Sequence, residues 1–552
     1  MTVQITPTET EQLTISELKE WFFQIKNVIR GGVQTSQYVE CIAPLIVYKR
    51  ISDVFDDELS VEAKRHEKVD IARKHLEEDH TSKLNDKGLP IASFYIPEKC
   101  SWETMRKQPR NRIAKYLTDC LADIVSVNPD MAQILDIFDY RAIHEDQRII
   151  NDYHLVSLID VISKHHLGNE NLNPVNLVKT LSIFAESQGG FDGEIYTPDE
   201  VSYLMAELLD IQPNSTVYDP ACGSGGLLIY ARKVFECNHP DKAIEAPHLY
   251  GQELNSATCA IAKFNMIIND YPADFVNGDT LADPGFDVIG DGLMRFDRIT
   301  ANPVWNQQDY ETCFENDPYR RFRRWIPPNR SADWGWVLHV LASLKDGGRA
   351  AILLDTGALS RGSGSIKNNR ERDIRREVIK ADLVEGVILL PENLFYNTRS
   401  PGIILLLRKG KPDSRKEQML LVDASDYYEN HRPKKRLTQQ GIQDIKHAFG
   451  TWQKYNKLCS LVTIDDLRKV DYNLNPVQFI DAANRTELNP LDNILQELAD
   501  AKLEREQAEQ ELSAMMGYII PTPSQRLDML LANLNDFTEC NFDDSDFDTL
   551  DI

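Results

Sequence analysis

The sequence predicts an α/β protein built on a doubly wound sheet, with a helical domain before the sheet and a helical tail after it. Three observations carry that expectation. From about residue 175, short apolar runs alternate with helical patterns. Before that point apolar residues recur at three- and four-residue spacing with few strand-like runs, and beyond about residue 480 the helical spacing returns. Strands that alternate with helices pair mostly in parallel and are covered on both faces. At 552 residues the chain exceeds one average domain, and the divisions expected are 1–170, 171–480 and 481–552.

In the first division, Ile15 to Ile29 and Tyr38 to Val54 carry helical spacing, and Ile113 to Val127 and Met131 to Phe138 read as further helices. The densely charged Val61 to Lys87 reads as a solvated helix or loop. Strands are expected at Thr216–Tyr218, His248–Gly251, Ala273–Val276, Arg298–Ala301, Ala350–Leu354, Leu383–Leu390, Gly402–Leu407 and Met419–Val422. In the last division Leu488, Leu491, Leu495 and Leu498 keep an apolar seam, which degrades among Glu504, Glu506 and Glu509 before Leu512. A helix docking a partner and a helix packed on its own chain fit that seam equally. From Asp536 to Ile552 there are seven acidic residues and no basic one, the composition of a disordered tail.

Composition excludes several classes. The nine cysteines are scattered and contain no CxxC pair, which argues against a disulfide framework or a zinc site; no metal is expected. The start, MTVQITPTETEQLT, has no basic-then-apolar signal pattern, and no run of eighteen apolar residues occurs, so a soluble cytoplasmic protein is expected. The net charge of -25 opposes nucleic-acid binding by the chain as a whole, because that affinity rests on Lys and Arg meeting phosphates. Either a local basic surface or a partner subunit must supply the grip.

Ligands of doubly wound sheets bind beyond the carboxyl ends of the strands, so the residues after each strand matter most. The first strand runs into Asp219-Pro220-Ala221-Cys222-Gly223-Ser224-Gly225-Gly226, a turn whose glycines let a ligand approach the backbone. Asp219 would repel a pyrophosphate but suits a ligand carrying an ammonium and a sulfonium. The second strand ends in Gly251-Gln252-Glu253, where a carboxylate can accept both hydroxyls of a ribose. Glu253 follows Asp219 by 34 residues, against about 20 in a dinucleotide fingerprint. Together they favour S-adenosylmethionine over a nicotinamide cofactor. After the third strand comes Asp279, placed either to accept from the cofactor's adenine or to cap the next turn.

The fourth strand ends in Asn302-Pro303-Val304-Trp305. An exocyclic amine on a nucleobase is a poor nucleophile, since its lone pair is delocalised into the ring. Acceptors for both amino hydrogens make the nitrogen more tetrahedral, and the Asn302 side chain and Pro303 backbone carbonyl can supply them. Trp305 offers a face for a base rotated out of the duplex. Transfer is then a matter of positioning and requires no metal. Upstream, Thr197 is expected to cap a helix with Pro198 at its first position, an end that also suits a carboxylate.

These residues together resemble the modification (M) subunit of type I restriction-modification systems, the HsdM family of N6-adenine DNA methyltransferases. Tyr-Thr-Pro at 196–198, DPACGSGG, Gly-Gln-Glu, Gly-Asp-Thr-Leu, Asn-Pro-x-aromatic and LVEGVILLPENLFYNTRSPGIILLLR follow the family's order. YVECIAPLIVYKRISDVF is similar to its helical N-terminal domain. The resemblance implies a Rossmann-like adenosylmethionine-dependent methyltransferase fold on a mixed sheet. It further implies that Tyr196, Thr197, Pro198, Asp219, Ala221, Cys222, Gly223, Ser224, Glu253 and Asp279 line the cofactor pocket. Asn302, Pro303 and Trp305 would hold the target adenine of double-stranded DNA. Two such chains would join one specificity (S) subunit, which reads the sequence, and a restriction (R) subunit can add cleavage.

This chain departs from the family at Val304, where a second proline is usual, at Trp305, where Phe or Tyr is usual, and in the loop Asn397–Pro401, which is usually Gly-rich. Methylation of cytosine in DNA or glutamine in protein uses the same Asn-Pro chemistry, and a silent cofactor-binding subunit is the alternative outside enzymes. Arg320, Arg321, Arg323, Arg324 and Arg330, with Phe322 and Trp325 among them, form the expected DNA-facing loop, with a solvated surface the competing reading.

Overall fold

The N-terminal helices form where sequence supplies both a cap and an apolar stripe. At Ile15–Ile29 a capping box opens the helix: Glu17 N donates to the Thr14 hydroxyl at 3.3 Å and Thr14 N donates to Glu17 Oε2 at 2.8 Å. Leu18, Trp21, Phe22, Ile25 and Ile29 are then buried along one face. This computed structural model describes residues 12–66, 68–82, 94–144, 147–188, 197–288, 292–365, 367, 369–395, 398–431, 434–455, 457–480, 502, 503, 505 and 507–509.

The second helix, Tyr38–His66, runs on through the charged stretch, and Val69–Ser82 is a further helix. Arg110–Val127 matches expectation. Met131 to Phe138 does not: a 3-10 turn at Pro129–Met131 leads into irregular turns. Met131, Ile134, Leu135 and Phe138 are buried as their helical spacing requires, but Gln133 has φ +61°, which an α-helix excludes. The core of these helices also takes in Ala257, Ile261 and Phe264 from helix Ser256–Ile268, so it continues onto the layer that covers the sheet.

Nine strands form the main sheet, numbered in chain order: β1 Thr216–Asp219, β2 His248–Glu253, β3 Ala273–Asn277, β4 Phe296–Ala301, β5 Leu344–Asp355, β6 Val384–Leu389, β7 Gly402–Arg408, β8 Gln418–Asp423 and β9 Cys459–Thr463. Their spatial order is β9-β8-β6-β7-β5-β4-β1-β2-β3. From β3 to β5 all pairings are parallel, whereas β7 is antiparallel to both β5 and β6, β8 is parallel to β6, and β9 is antiparallel to β8. The expected doubly wound mixed sheet is therefore present, with all eight expected strands. β9 is an addition at the edge. Two separate cores cover the faces of the sheet.

Residues to Ile480 form one compact unit and those from Asp481 a second. In the second unit the described residues, 502, 503, 505 and 507–509, are helical. Leu488 to Leu498, Leu512 and the acidic stretch from Asp536 lie outside the described residues. Among the described residues no helix is long and apolar enough to cross a membrane.

Candidate active site

β1 and β4 are neighbours, with Val217 opposite Arg298 and Tyr218 opposite Ile299. From β1 the chain moves outward to β2 and β3 on one side, while β4 and β5 lie on the other. This reversal makes a crevice beyond the carboxyl ends, and it places the residues after Asp219 beside those after Ala301.

Asp219 is fully buried. Its Oδ1 accepts from Ala221 N at 3.1 Å, and its Oδ2 has no hydrogen-bond partner among the described residues. Burial, opposed by the Ala221 N–H and reinforced by the charge of Glu253, pushes its carboxyl up to about 8. Gly225 N donates to Cys222 O at 2.8 Å to close the turn, with Gly223 at φ +53° and Gly225 at φ +85°. A Cβ on Gly223 would meet nothing within 4 Å, so the turn presents bare backbone to open space. Helix Gly226–Asn238 starts directly behind it. The Cys222 side chain packs inward with the core and Ser224 is buried, so both face the crevice only through backbone.

Glu253 binds the same turn. Its Oε2 accepts from Gly223 N at 3.0 Å and its Oε1 from Asn255 N at 2.8 Å, while burial raises its pKa. Neither Asp219 nor Glu253 forms an ion pair among the described residues. Gln252, buried beside it, pins the next loop by donating to Gly278 O and Asp283 O and accepting from Gly285 N. Asp279 does cap its turn, Oδ1 accepting from Leu281 N at 3.0 Å and Ala282 N at 3.3 Å; its Oδ2 accepts from the Tyr310 hydroxyl at 3.0 Å. Thr280 Oγ1 donates to Pro220 O at 2.6 Å, tying this loop to the first turn.

At the end of β4, Asn302 Nδ2 donates to Thr197 Oγ1 at 2.8 Å. That contact corrects the cap expected of Thr197: the helix spans Asp199–Leu209 with Pro198 as N-cap and no side-chain capping bond. The Thr197 hydroxyl is turned to Asn302 instead. Pro303 is buried, and the Trp305 ring meets Phe395 edge-on with centroids 5.2 Å apart. Trp305 Nε1 is buried with no hydrogen-bond partner among the described residues. Tyr196 lies outside the described residues, as do Tyr396 and Asn397 of the departing loop.

Sequence reading missed Tyr310, Phe395 and Leu254, the last 55% exposed directly after Glu253. Its adjacency to Gly-Gln-Glu was the available signal; Tyr310 and Phe395 are brought in by long-range folding alone. The basic loop needs one correction. Arg321 turns inward, its guanidinium donating to Asp317 at 2.8 Å, Thr280 O at 2.9 Å and Leu281 O at 2.7 Å. Arg320, Arg323, Arg324 and Arg330 remain exposed.

The N-6 DNA methylase profile matches residues 179–488, more than half the chain, and the HsdM N-terminal domain profile matches 18–163. The chain belongs to the N-6 DNA methylase family. This methylase is 32% identical to the MjaVIII methylase subunit of a type I restriction enzyme from Methanocaldococcus jannaschii, over 88% of this chain and 82% of that protein. It is 29% identical to the HindI methylase subunit from Haemophilus influenzae, over 68% and 84%. The methyltransferase subunit of a type I restriction-modification system from Streptococcus thermophilus shares its fold, with a TM-score of 0.66 at 21% identity, covering 85% of this chain and 100% of that one. The methylase is a modification subunit of the HsdM type; its cofactor is S-adenosylmethionine and its reaction is methylation of adenine N6 in DNA.

Proposed function

We propose that the crevice between β1 and β4 is where this methylase brings cofactor and target adenine together, with the residues named above in distinct roles. The buried Asp219 Oδ2, without a hydrogen-bond partner among the described residues, carries the reading. A carboxyl buried in such a place ionises readily only against a cation, and the ammonium of S-adenosylmethionine fits it. Glu253 keeps lone pairs for the ribose hydroxyls, the bare Gly223 backbone admits the ligand closely, and Leu254 offers an apolar face to the cofactor's adenine. Asp279 accepts from that adenine's amino group. When bound, S-adenosylmethionine supplies an electrophilic methyl group on a sulfonium.

The Asn302 carboxamide and the Pro303 carbonyl accept the two hydrogens of the adenine amino group and draw its lone pair out of conjugation. A nitrogen–carbon bond forms as the sulfonium–carbon bond breaks, and one amino hydrogen leaves as a proton. Trp305 and Phe395 pack against the extrahelical base. The exposed arginines from Arg320 to Arg330 meet DNA phosphates on a chain that is otherwise acidic. Most of the grip comes from a specificity subunit held between two copies of the chain, in the cytoplasm, with a restriction subunit as the further partner.

The test is transfer of labelled methyl from S-adenosylmethionine to duplex DNA by the chain assembled with its specificity subunit. Wild type is expected to modify adenine and Asn302→Ala to fall by about a thousandfold, the scale of losing a group that acts on the reacting atoms. Undiminished transfer by Asn302→Ala would sink the proposal.

A further inference from the structure

We infer that Thr197 is a positioning residue for methyl transfer, its hydroxyl oxygen holding the Asn302 carboxamide by the Nδ2 branch so that the carbonyl branch is turned to the acceptor amine. The inference rests on the reading of Asn302 given above.

A carboxamide has two branches of nearly equal shape and opposite hydrogen-bond sense. With the carbonyl toward an adenine amino group, Asn302 accepts a hydrogen and makes the nitrogen a better nucleophile. Turned by half a revolution it would set N–H against N–H and oppose the base. The terminal torsion of asparagine is broad and roughly two-fold, so the side chain does not choose between these states by itself. In the observed arrangement the Nδ2 branch is held by donating to a hydroxyl oxygen.

Thr197 supplies that hydroxyl. Its Oγ1 lies 2.8 Å from Asn302 Nδ2, across 105 residues of sequence. The anchor is rigid. Pro198 follows with φ -56° and is buried, and the helix behind it, Asp199–Leu209, buries Val201, Leu204, Met205 and Leu209. Ser202 Oγ donates to Pro198 O at 3.2 Å, and Lys179 pairs with Asp199 at the start of that helix. The hydroxyl makes no capping bond to this helix. Its observed engagement is with the amide at the end of β4, so a helix from one side of the crevice fixes the acceptor on the other.

The role differs from the cofactor contact that the family resemblance implies for the same residue, and the two part experimentally. Thr197→Val, Thr197→Ala, Thr197→Ser and Asn302→Ala would be compared in the assembled modification complex. The readouts are single-turnover transfer to duplex DNA, equilibrium binding of S-adenosylmethionine and thermal melting. Loss of one orienting hydrogen bond predicts a roughly tenfold slower transfer in Thr197→Val and Thr197→Ala. Cofactor Kd should stay within about twofold of wild type, and Thr197→Ser should recover most of the rate.

Wild-type transfer by both Thr197→Val and Thr197→Ala, with Asn302→Ala inactive, would overturn the inference and leave the reading of Asn302 standing. A defect confined to cofactor Kd would also overturn it, making Thr197 a cofactor ligand. Full activity in Asn302→Ala would remove the reading and the inference together. If Thr197→Val melts early, Thr197→Ala and Thr197→Ser carry the comparison.

Discussion

Asp219 and Glu253 place two carboxylates on one glycine turn with no cation between them: Ala221 N holds the first at 3.1 Å, and Gly223 N holds the second at 3.0 Å. The charge of Glu253 opposes ionisation of Asp219, and burial opposes ionisation of both carboxyls more strongly. The empty protein therefore holds a proton on Asp219 up to about pH 8, far above the usual carboxylate range. Only the ionised form attracts an ammonium. Cofactor affinity is expected to rise with pH between about 6 and 8 and to level off above that, with a proton released on binding in the lower part of the range. Calorimetric titration in buffers of different ionisation enthalpy measures that proton. A binding constant flat from pH 6 to 9 would contradict it.

The same group makes a stability prediction. Because its folded pKa lies above the unfolded value, the folded state binds the extra proton between about pH 4 and 8, and the stability it contributes at low pH is lost as pH rises through that window. Asp219→Asn removes the titration while keeping the shape. The cofactor-free variant is expected to melt a few degrees higher than wild type at pH 8, and to bind S-adenosylmethionine at least about tenfold more weakly. A variant that melts lower and binds normally would show that Asp219 is structural.

How far the site was legible follows from which contacts are local. Asp219, Glu253, Asp279 and Asn302 could be read because strand ends are marked by composition, and doubly wound sheets put ligands there. The Thr197 contact could not, since Thr-Pro before a helix reads as a cap and its partner lies 105 residues away. Among five similar arginines, nothing local marks Arg321 as the buried one; Asp317, four residues earlier and equally buried, decides it. Met131 to Phe138 shows the converse limit, where apolar spacing reported burial correctly while a left-handed Gln133 redirected the backbone.

Val304 is expected to be a tolerated departure. Among the described residues its amide donates no backbone hydrogen bond, and its φ is not in the left-handed region. Proline at this place removes no ladder bond, so Val304→Pro should change kcat by less than about threefold and leave Tm within a few degrees. Steady-state kinetics on the assembled complex checks it. A large gain in kcat would mean instead that Val304 holds the Asn-Pro turn away from its active geometry.

Trp305 separates stacking from hydrogen bonding. Its Nε1–H is buried without a hydrogen-bond partner among the described residues, a defect of about 1–3 kcal/mol that Trp305→Phe removes along with some apolar contact. This variant should melt close to wild type and keep transfer within about tenfold, since a flat ring still faces Phe395. Trp305→Ala forfeits base stacking worth about 1–3 kcal/mol, a loss of roughly 10- to 100-fold in kcat/KM. Equal activity of the Phe and Ala variants would exclude a stacking role.

The arginines after the Asn-Pro turn divide into one structural residue and several facing solvent, and mutation should divide them too. Arg321 and Asp317 form an ion pair with side chains 0% and 2% exposed. Removing only the cation strands a buried carboxylate, so Arg321→Met should cost about 3–5 kcal/mol of stability. It should also loosen the Asp279 loop, whose Thr280 and Leu281 carbonyls the guanidinium holds. Arg323 is exposed, with no ion pair among the described residues. If it meets a phosphate, Arg323→Ala should leave melting unchanged, weaken binding to all duplex sequences alike, and lower the slope of log K against log salt by about one. The salt series decides between the DNA-facing loop and a merely solvated surface. An unchanged slope in Arg323→Ala, Arg324→Ala and Arg330→Ala together would leave phosphate contact to the partner subunit.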